Sequence, residues 1–209
     1  MTAEDPNGTA WFEPLYAAAA RGERQVPWDG QEPARHLVEW TAAHMLDGHG
    51  RRALVVGCGL GDDAEHVAGL GFTTVAFDIS PTAIRLARER FAGSAVDYVV
   101  ADLLAPPPEW VRGFDLVVES ITVQALPDRV RPRAIASVAA FVAPGGTLLV
   151  LAARRHAGER ADGPPWPLVR AEVESFATGG VEMVRVEELR GAPGQFADRW
   201  RAELRRPPA

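Results

Sequence analysis

The segment Gly57-Cys58-Gly59-Leu60-Gly61 constrains this chain more than any other, because it stands between an apolar run and an amphipathic one. Arg52 to Val56 (RALVV) reads as a buried strand, and Asp62 to Leu70 as a helix that stops at Gly71. Glycines at alternating positions let the backbone turn tightly and approach a ligand where any Cβ would collide. The helix that follows would turn its unpaired N–H groups toward that ligand. Such a turn puts a nucleotide-like ligand at the carboxyl end of the first strand.

From about Arg51 onward, short apolar runs alternate with helical ones, the pattern of βαβ units and a mostly parallel sheet. Thr73 to Phe77, Val96 to Val100, Phe114 to Val118 and Thr147 to Leu151 are the next expected strands. Ser80-Pro81 supplies an N-cap and a first-turn proline for a helix through Phe91. Pro106-Pro107-Pro108 forces a loop, with a short helical turn at Glu109 to Val111. A further helix runs from about Arg131 to Val142 and is broken by Pro144-Gly145-Gly146; Pro167 to Ala177 also looks helical. Val181 to Leu189 and Phe196 to Leu204 read as the last strands. They should be antiparallel, because the loop Arg190 to Gln195 is too short for a crossover helix. The basic tail Arg199 to Arg206 alternates with Trp200, Ala202 and Leu204, as a strand with one solvated face would.

The expectation is therefore an α/β fold. It is a Rossmann-like, doubly wound sheet of about seven strands, mostly parallel, with an antiparallel C-terminal hairpin and helices on both faces. Residues 1–209 form one domain. Within it, 33–209 is the core, opening on a helix from Pro33 to about Leu46. Residues 1–32 are aromatic between Trp11 and Trp28 and interrupted by Gly22, Pro27 and Gly30, and read as a lid or flap rather than a core element.

Composition closes off other classes. With 47% apolar and 24% charged residues, a chain of 209 can bury a large core unaided. Its one cysteine, Cys58, cannot form an intramolecular disulfide, which suits a reducing, cytoplasmic setting. The polar, acidic start shows no signal-peptide pattern, and the apolar stretches fall short of the ~20 residues that cross a bilayer. A net charge of −6 without a basic stripe argues against nucleic acid as a partner. No membrane partner is expected either, and the chain suits a monomer or homodimer. His36, His44 and His49 do not share one helix face, so no metal is expected.

Spacing then narrows the ligand. Dinucleotide loops follow G-x-G-x-x-G, which would put the third glycine at position 62; here that residue is Asp, and the third glycine is Gly61. Asp62, Asp63 and Glu65 follow, a cluster that repels a pyrophosphate but is harmless beside a sulfonium cation. Asp78, ending the second strand, suits a ribose, which nicotinamide and sulfonium cofactors share.

The glycine loop, Asp78, Asp102-Leu103, Phe114-Asp115-Leu116-Val117-Val118-Glu119 and Pro144-Gly145-Gly146 together resemble the ordered motifs of class I S-adenosylmethionine-dependent methyltransferases, over residues 50 to 152. Trp11-(x4)-Tyr16 with Pro27-Trp28-Asp29 is similar to the flap of the thiopurine, thiol and halide/thiocyanate group and of tellurite-resistance-type relatives. The resemblance implies metal-independent, in-line methyl transfer from S-adenosylmethionine to a small-molecule acceptor, leaving S-adenosylhomocysteine. It implies that Gly57, Cys58, Gly59 and Gly61 pass under the amino-acid part of the cofactor. Asp78 would hold the ribose, Ile79 and Leu103 would pack on the adenine, and Asp102 would accept from its amino group. Glu119, Ser120 and Ile121 would flank the methionine moiety, and Trp11, Tyr16 and Trp28 would close the site.

The flap points to a thiol or another soft nucleophile as acceptor. O- or N-methylation of a natural product is the second reading. An NAD(P)-dependent oxidoreductase and a non-catalytic cofactor-binding protein stand outside the class. A thiol with a pKa near ~8.5 needs little help to ionise; for other acceptors the candidate bases are Glu119, His156 and His66. Pro164-Pro165-Trp166-Pro167 either lines the acceptor pocket or forms a stiff surface connection.

Overall fold

The computed structural model describes residue 5 and residues 7–160, 163–190 and 198–209. Seven strands form one sheet in the order β3-β2-β1-β4-β5-β7-β6. They are β1 (Arg52–Val56), β2 (Thr73–Asp78), β3 (Asp97–Val100), β4 (Phe114–Ser120), β5 (Val142–Ala153), β6 (Glu182–Arg190) and β7 (Asp198–Arg205). The first five pair in parallel, and β7 lies antiparallel between β5 and β6. The expected architecture is thus the observed one. The hairpin's connection, residues 191–197, lies outside the described residues, as does the start of the strand expected from Phe196.

The strand order reverses direction between β1 and β4, whose registers run Ala53↔Leu116 to Val56↔Glu119. At such a switch point the loops after the two strands part and leave a crevice above their carboxyl ends. Each face of the sheet has its own core. On one, α2 (Arg35–Ala43), α3 (Asp62–Gly69) and α4 (Pro81–Arg90) bring Leu37, Trp40, Val67 and Ile84 onto Leu116, Val118 and Leu149. On the other, α5 (Arg131–Phe141) and the short α6 (Arg170–Glu174) accompany Trp110, Phe141, Phe176 and Trp200 onto Phe77, Val117 and Val150. α4 begins as its sequence dictates: Ser80 Oγ accepts from Ala83 N–H at 3.0 Å, and Pro81 fills the first turn.

Three expectations need correction. The helices α2 and α6 are shorter than Pro33–Leu46 and Pro167–Ala177. The fifth strand starts at Val142, before the Pro144-Gly145-Gly146 turn, because α5 stops at Phe141. The basic tail has no fully solvated face. α2 covers it, with Trp40 Nε1 donating to Glu203 Oε2 at 3.1 Å and Arg201 to the His36 carbonyl at 3.3 Å. Arg206 is buried and donates to the carbonyls of Ala139, Val142 and Gly179. In the aromatic N-terminal segment, α1 (Phe12–Ala20) buries Phe12, Leu15 and Tyr16, and Phe12 joins the larger of the two cores. Among the described residues no helix is long and apolar enough to cross a membrane, and no three metal-ligating side chains converge.

Candidate active site

A cavity of about 490 Å³ opens at the β1/β4 switch point, inside the ~300–1,000 Å³ typical of small-molecule sites. Its floor is the turn after β1. Gly57, Gly59 and Gly61 all have positive φ, at 59°, 53° and 98°. Gly57 is also sterically required, since a Cβ there would sit 2.3 Å from Thr122 Oγ1. Thr122 crosses the end of β1 and donates to the Val56 carbonyl at 2.9 Å. Beside it Ile121, a β-branched residue, is held at φ 65°, an uncommon backbone state that proteins keep mostly where a site needs it.

Asp78 ends β2 and points across this floor. Its Oδ2 accepts from Gly59 N–H at 3.1 Å and its Oδ1 from Ser80 N–H at 2.9 Å. Burial pushes its carboxyl up to about 6, against the N–H groups of Ser80, Gly59 and Ile79 that favour the charge, while Glu13 adds to the rise. Asp63, half-buried, accepts from Ala34 N–H at 2.7 Å and from the Ser120 hydroxyl. Asp62 pairs with Arg90 at 2.8 Å. Asp102 turns back on its own loop, accepting from Leu104 N–H at 2.8 Å. Burial pushes the Cys58 thiol well above its usual range, with the Asp78 charge adding to it.

Of the residues singled out in the sequence, Gly57, Cys58, Gly59, Asp78, Ile79, Asp102, Leu103, Ser120, Ile121, Tyr16 and Trp28 line the cavity. Gly61, Glu119 and Trp11 do not. Gly61 makes room instead for the Tyr98 hydroxyl, 2.5 Å from where its Cβ would stand. Glu119 lies beneath the floor, accepting from Val123 N–H at 2.9 Å. Trp11 stacks on Phe12, 4.1 Å between rings, and meets Trp28 edge-on. His156 is exposed on the loop after β5, and His66 faces Thr41 Oγ1 at 2.9 Å; neither reaches the cavity. The Pro164–Pro167 stretch is a connection: Trp166 N–H donates to the Gln124 carbonyl, and its ring lies beneath the Arg131 guanidinium.

Several lining residues were not foreseen. Thr9 and Phe12 reach the cavity from the N-terminal segment, Pro33 to Arg35 from the approach to α2, and Arg199 from β7. Arg199 was the most accessible to inference, since pairing β7 against β5 sets it opposite Ala153, level with the carboxyl end of β4. Its tertiary position required the register, which no residue of the tail announces.

A family model described as a methyltransferase domain matches residues 53–146. The chain is 29% identical to a probable thiol methyltransferase of Arabidopsis thaliana over 175 residues, covering 80% of this chain and 71% of that one. These matches support a class I S-adenosylmethionine-dependent methyltransferase. The methyltransferase is also 32% identical to a ubiquinone biosynthesis O-methyltransferase of Xanthomonas axonopodis pv. citri, over 59% of this chain and only 54% of the relative. Among solved structures, one from the conversion of a disulfide bond into a thioacetal group during echinomycin biosynthesis superposes with a TM-score of 0.74, at 25% identity and 93% coverage of both chains. The N-methyltransferase NodS of Bradyrhizobium japonicum shares the fold, with a TM-score of 0.72 at 20% identity over 96% of this chain and 99% of that one.

Proposed function

We propose that this methyltransferase transfers a methyl group to a small thiol or another soft nucleophile, with S-adenosylmethionine held in the cavity at the β1/β4 switch point. The observation that carries the cofactor pose is the convergence of the glycine turn, Asp78 and the acidic start of α3 on one cavity. The residues present fit that group. Gly57 and Gly59 present bare backbone to the cavity, and each Asp78 oxygen keeps lone pairs for a ribose hydroxyl beyond its backbone donors. Asp62 and Asp63 suit an ammonium and a sulfonium, and oppose a pyrophosphate. Ile79 and Leu103 would sandwich the adenine, with Asp102 accepting from its amino group. Residues 1–32 would act as the lid and 33–209 as the core, with Tyr16 and Trp28 over the amino-acid end.

The bound cofactor supplies an activated methyl on a cation. The chain's part is to align the acceptor for in-line attack, and alignment alone can supply up to ~7–11 kcal/mol. Ser120, Ile121 and Thr122 form the wall from which the acceptor would enter. The described lining holds no histidine, and Glu119 is sealed beneath the floor. An acceptor that ionises without help, as a thiol near ~8.5 does, fits such a wall better than an alcohol. The Arabidopsis relative supports the same choice. The Xanthomonas relative favours a second reading, transfer to a phenol-type oxygen. A cytoplasmic setting goes with either, since the one thiol has no partner within the chain.

The test is an acceptor panel of thiols, iodide, thiocyanate, phenols and amines, read as S-adenosylhomocysteine formed. Turnover of thiols or soft anions is the expected outcome. Turnover confined to phenols or amines replaces the soft-nucleophile reading with the second one.

A further inference from the structure

The helix α1 is fastened at its first turn. The Glu13 carboxylate accepts from the Ser80 hydroxyl, from the Thr82 hydroxyl at 2.6 Å and from Thr82 N–H at 3.1 Å. Thr82 N–H is one of the amides that the start of α4 leaves without a helical partner. A carboxylate in that position is favoured by the helix dipole and by charge-assisted bonding. Ser80 is at the same time a partner of Asp78 through its N–H, and Asp78 in turn takes Gly59 N–H. A continuous chain of hydrogen bonds therefore runs from Glu13 through Ser80 and Asp78 to the glycine turn.

One helical turn further along α1, the Tyr16 hydroxyl stands 3.0 Å from the point a Cβ on Gly59 would occupy. It accepts from the Trp28 indole N–H at 2.9 Å. The same helix thus touches both walls of the cavity, Glu13 at the loop that carries Asp78 and Tyr16 above the glycine turn.

We propose that Glu13 is a positioning residue for the cofactor, latching α1 to the Ser80–Thr82 loop and thereby fixing where Tyr16 and Trp28 stand over the glycine turn. The proposal rests on the reading of this cavity as the cofactor site. Burial opposes the charge on Glu13, but the hydroxyls of Ser80 and Thr82, Thr82 N–H and Arg85 outweigh it and hold the carboxyl below its ordinary range. The latch is therefore ionised at neutral pH.

The experiment compares the full chain with Glu13→Ala and Glu13→Gln. It reads S-adenosylhomocysteine affinity by calorimetry, KM and kcat by turnover, and melting temperature. Glu13→Ala should weaken binding about tenfold or more, equivalent to about 1.4 kcal/mol, and raise KM for the methyl donor in step. At saturating donor, kcat should stay within about twofold of the wild type. Glu13→Gln keeps one acceptor oxygen for these donors and should recover part of the affinity; it carries the test if the alanine variant fails to fold. A lowered melting temperature with unchanged affinity in both variants would reduce Glu13 to a structural cap and overturn the proposal. Failure of the wild type itself to bind S-adenosylhomocysteine would overturn the cofactor-site reading beneath it.

Discussion

The glycine turn and the aromatic N-terminal segment face each other across one cavity, but they are held in place by different means. The turn is fixed by its own backbone: three glycines at positive φ, a threonine crossing so close that Gly57 can carry no Cβ, and a buried carboxylate tying strand end to loop. The segment opposite is fixed from outside, by side chains reaching partners more than sixty residues away, as Glu13 does to Ser80 and Thr82. It lies outside the residues matched by the methyltransferase family model, which begins at Ala53. A floor made of backbone tolerates almost no change. On the proposed reading of residues 1–32 as a lid, a cover held by a few side-chain contacts can be altered one contact at a time, so that acceptor preference would vary over an unchanged floor.

The sharpest test of that contrast is Gly57→Ala. Its Cβ would meet Thr122 at 2.3 Å in a left-handed backbone state. Left-handed strain costs roughly 1–2 kcal/mol and overpacking roughly 1–3 kcal/mol more. S-adenosylhomocysteine binding should become undetectable by calorimetry, and the melting temperature should fall.

Next in size is a pH effect beneath the floor. Burial pushes Glu119 from an ordinary 4.5 up to about 7, with the N–H groups of Val123 and Thr122 opposing the shift. A carboxyl raised in the folded state binds its proton more tightly there than in the unfolded chain. Its contribution is fully present below about pH 4.5 and is lost as the pH rises through 7. Urea unfolding should show the wild type losing roughly 2–3 kcal/mol more than Glu119→Gln between about pH 5 and 8. Parallel pH profiles would show that Glu119 ionises freely and is not part of the sealed floor.

The smallest effect belongs to the cover. Trp28→Phe removes the indole donor to the Tyr16 hydroxyl, a loss of about 1 kcal/mol. Cofactor affinity should fall by about fivefold or less, with melting nearly unchanged. If this substitution abolished binding as Gly57→Ala does, floor and cover would be equally rigid and the contrast would fail.

Much of this was legible in the sequence because it is written in local signals. Glycine spacing, the Ser80-Pro81 cap and the alternation of apolar runs specify backbone states and burial within a few residues of themselves, and with them the sheet, its hairpin and the position of Asp78. What only the tertiary structure decided depends on register and on encounters between distant segments. Arg199 reaches the cavity because β7 pairs with β5 at one register and no other. Glu119 looked like a strand-end acid beside the ligand, but the pleat turns it beneath the floor to cap Val123. Glu13 carries no local signal of its role, which exists only because the fold sets α4 against it. Backbone preference acts on the residue that carries it, so it can be read in place. A side-chain contact requires two segments to arrive together, and which segments arrive is set by the packing of the whole chain.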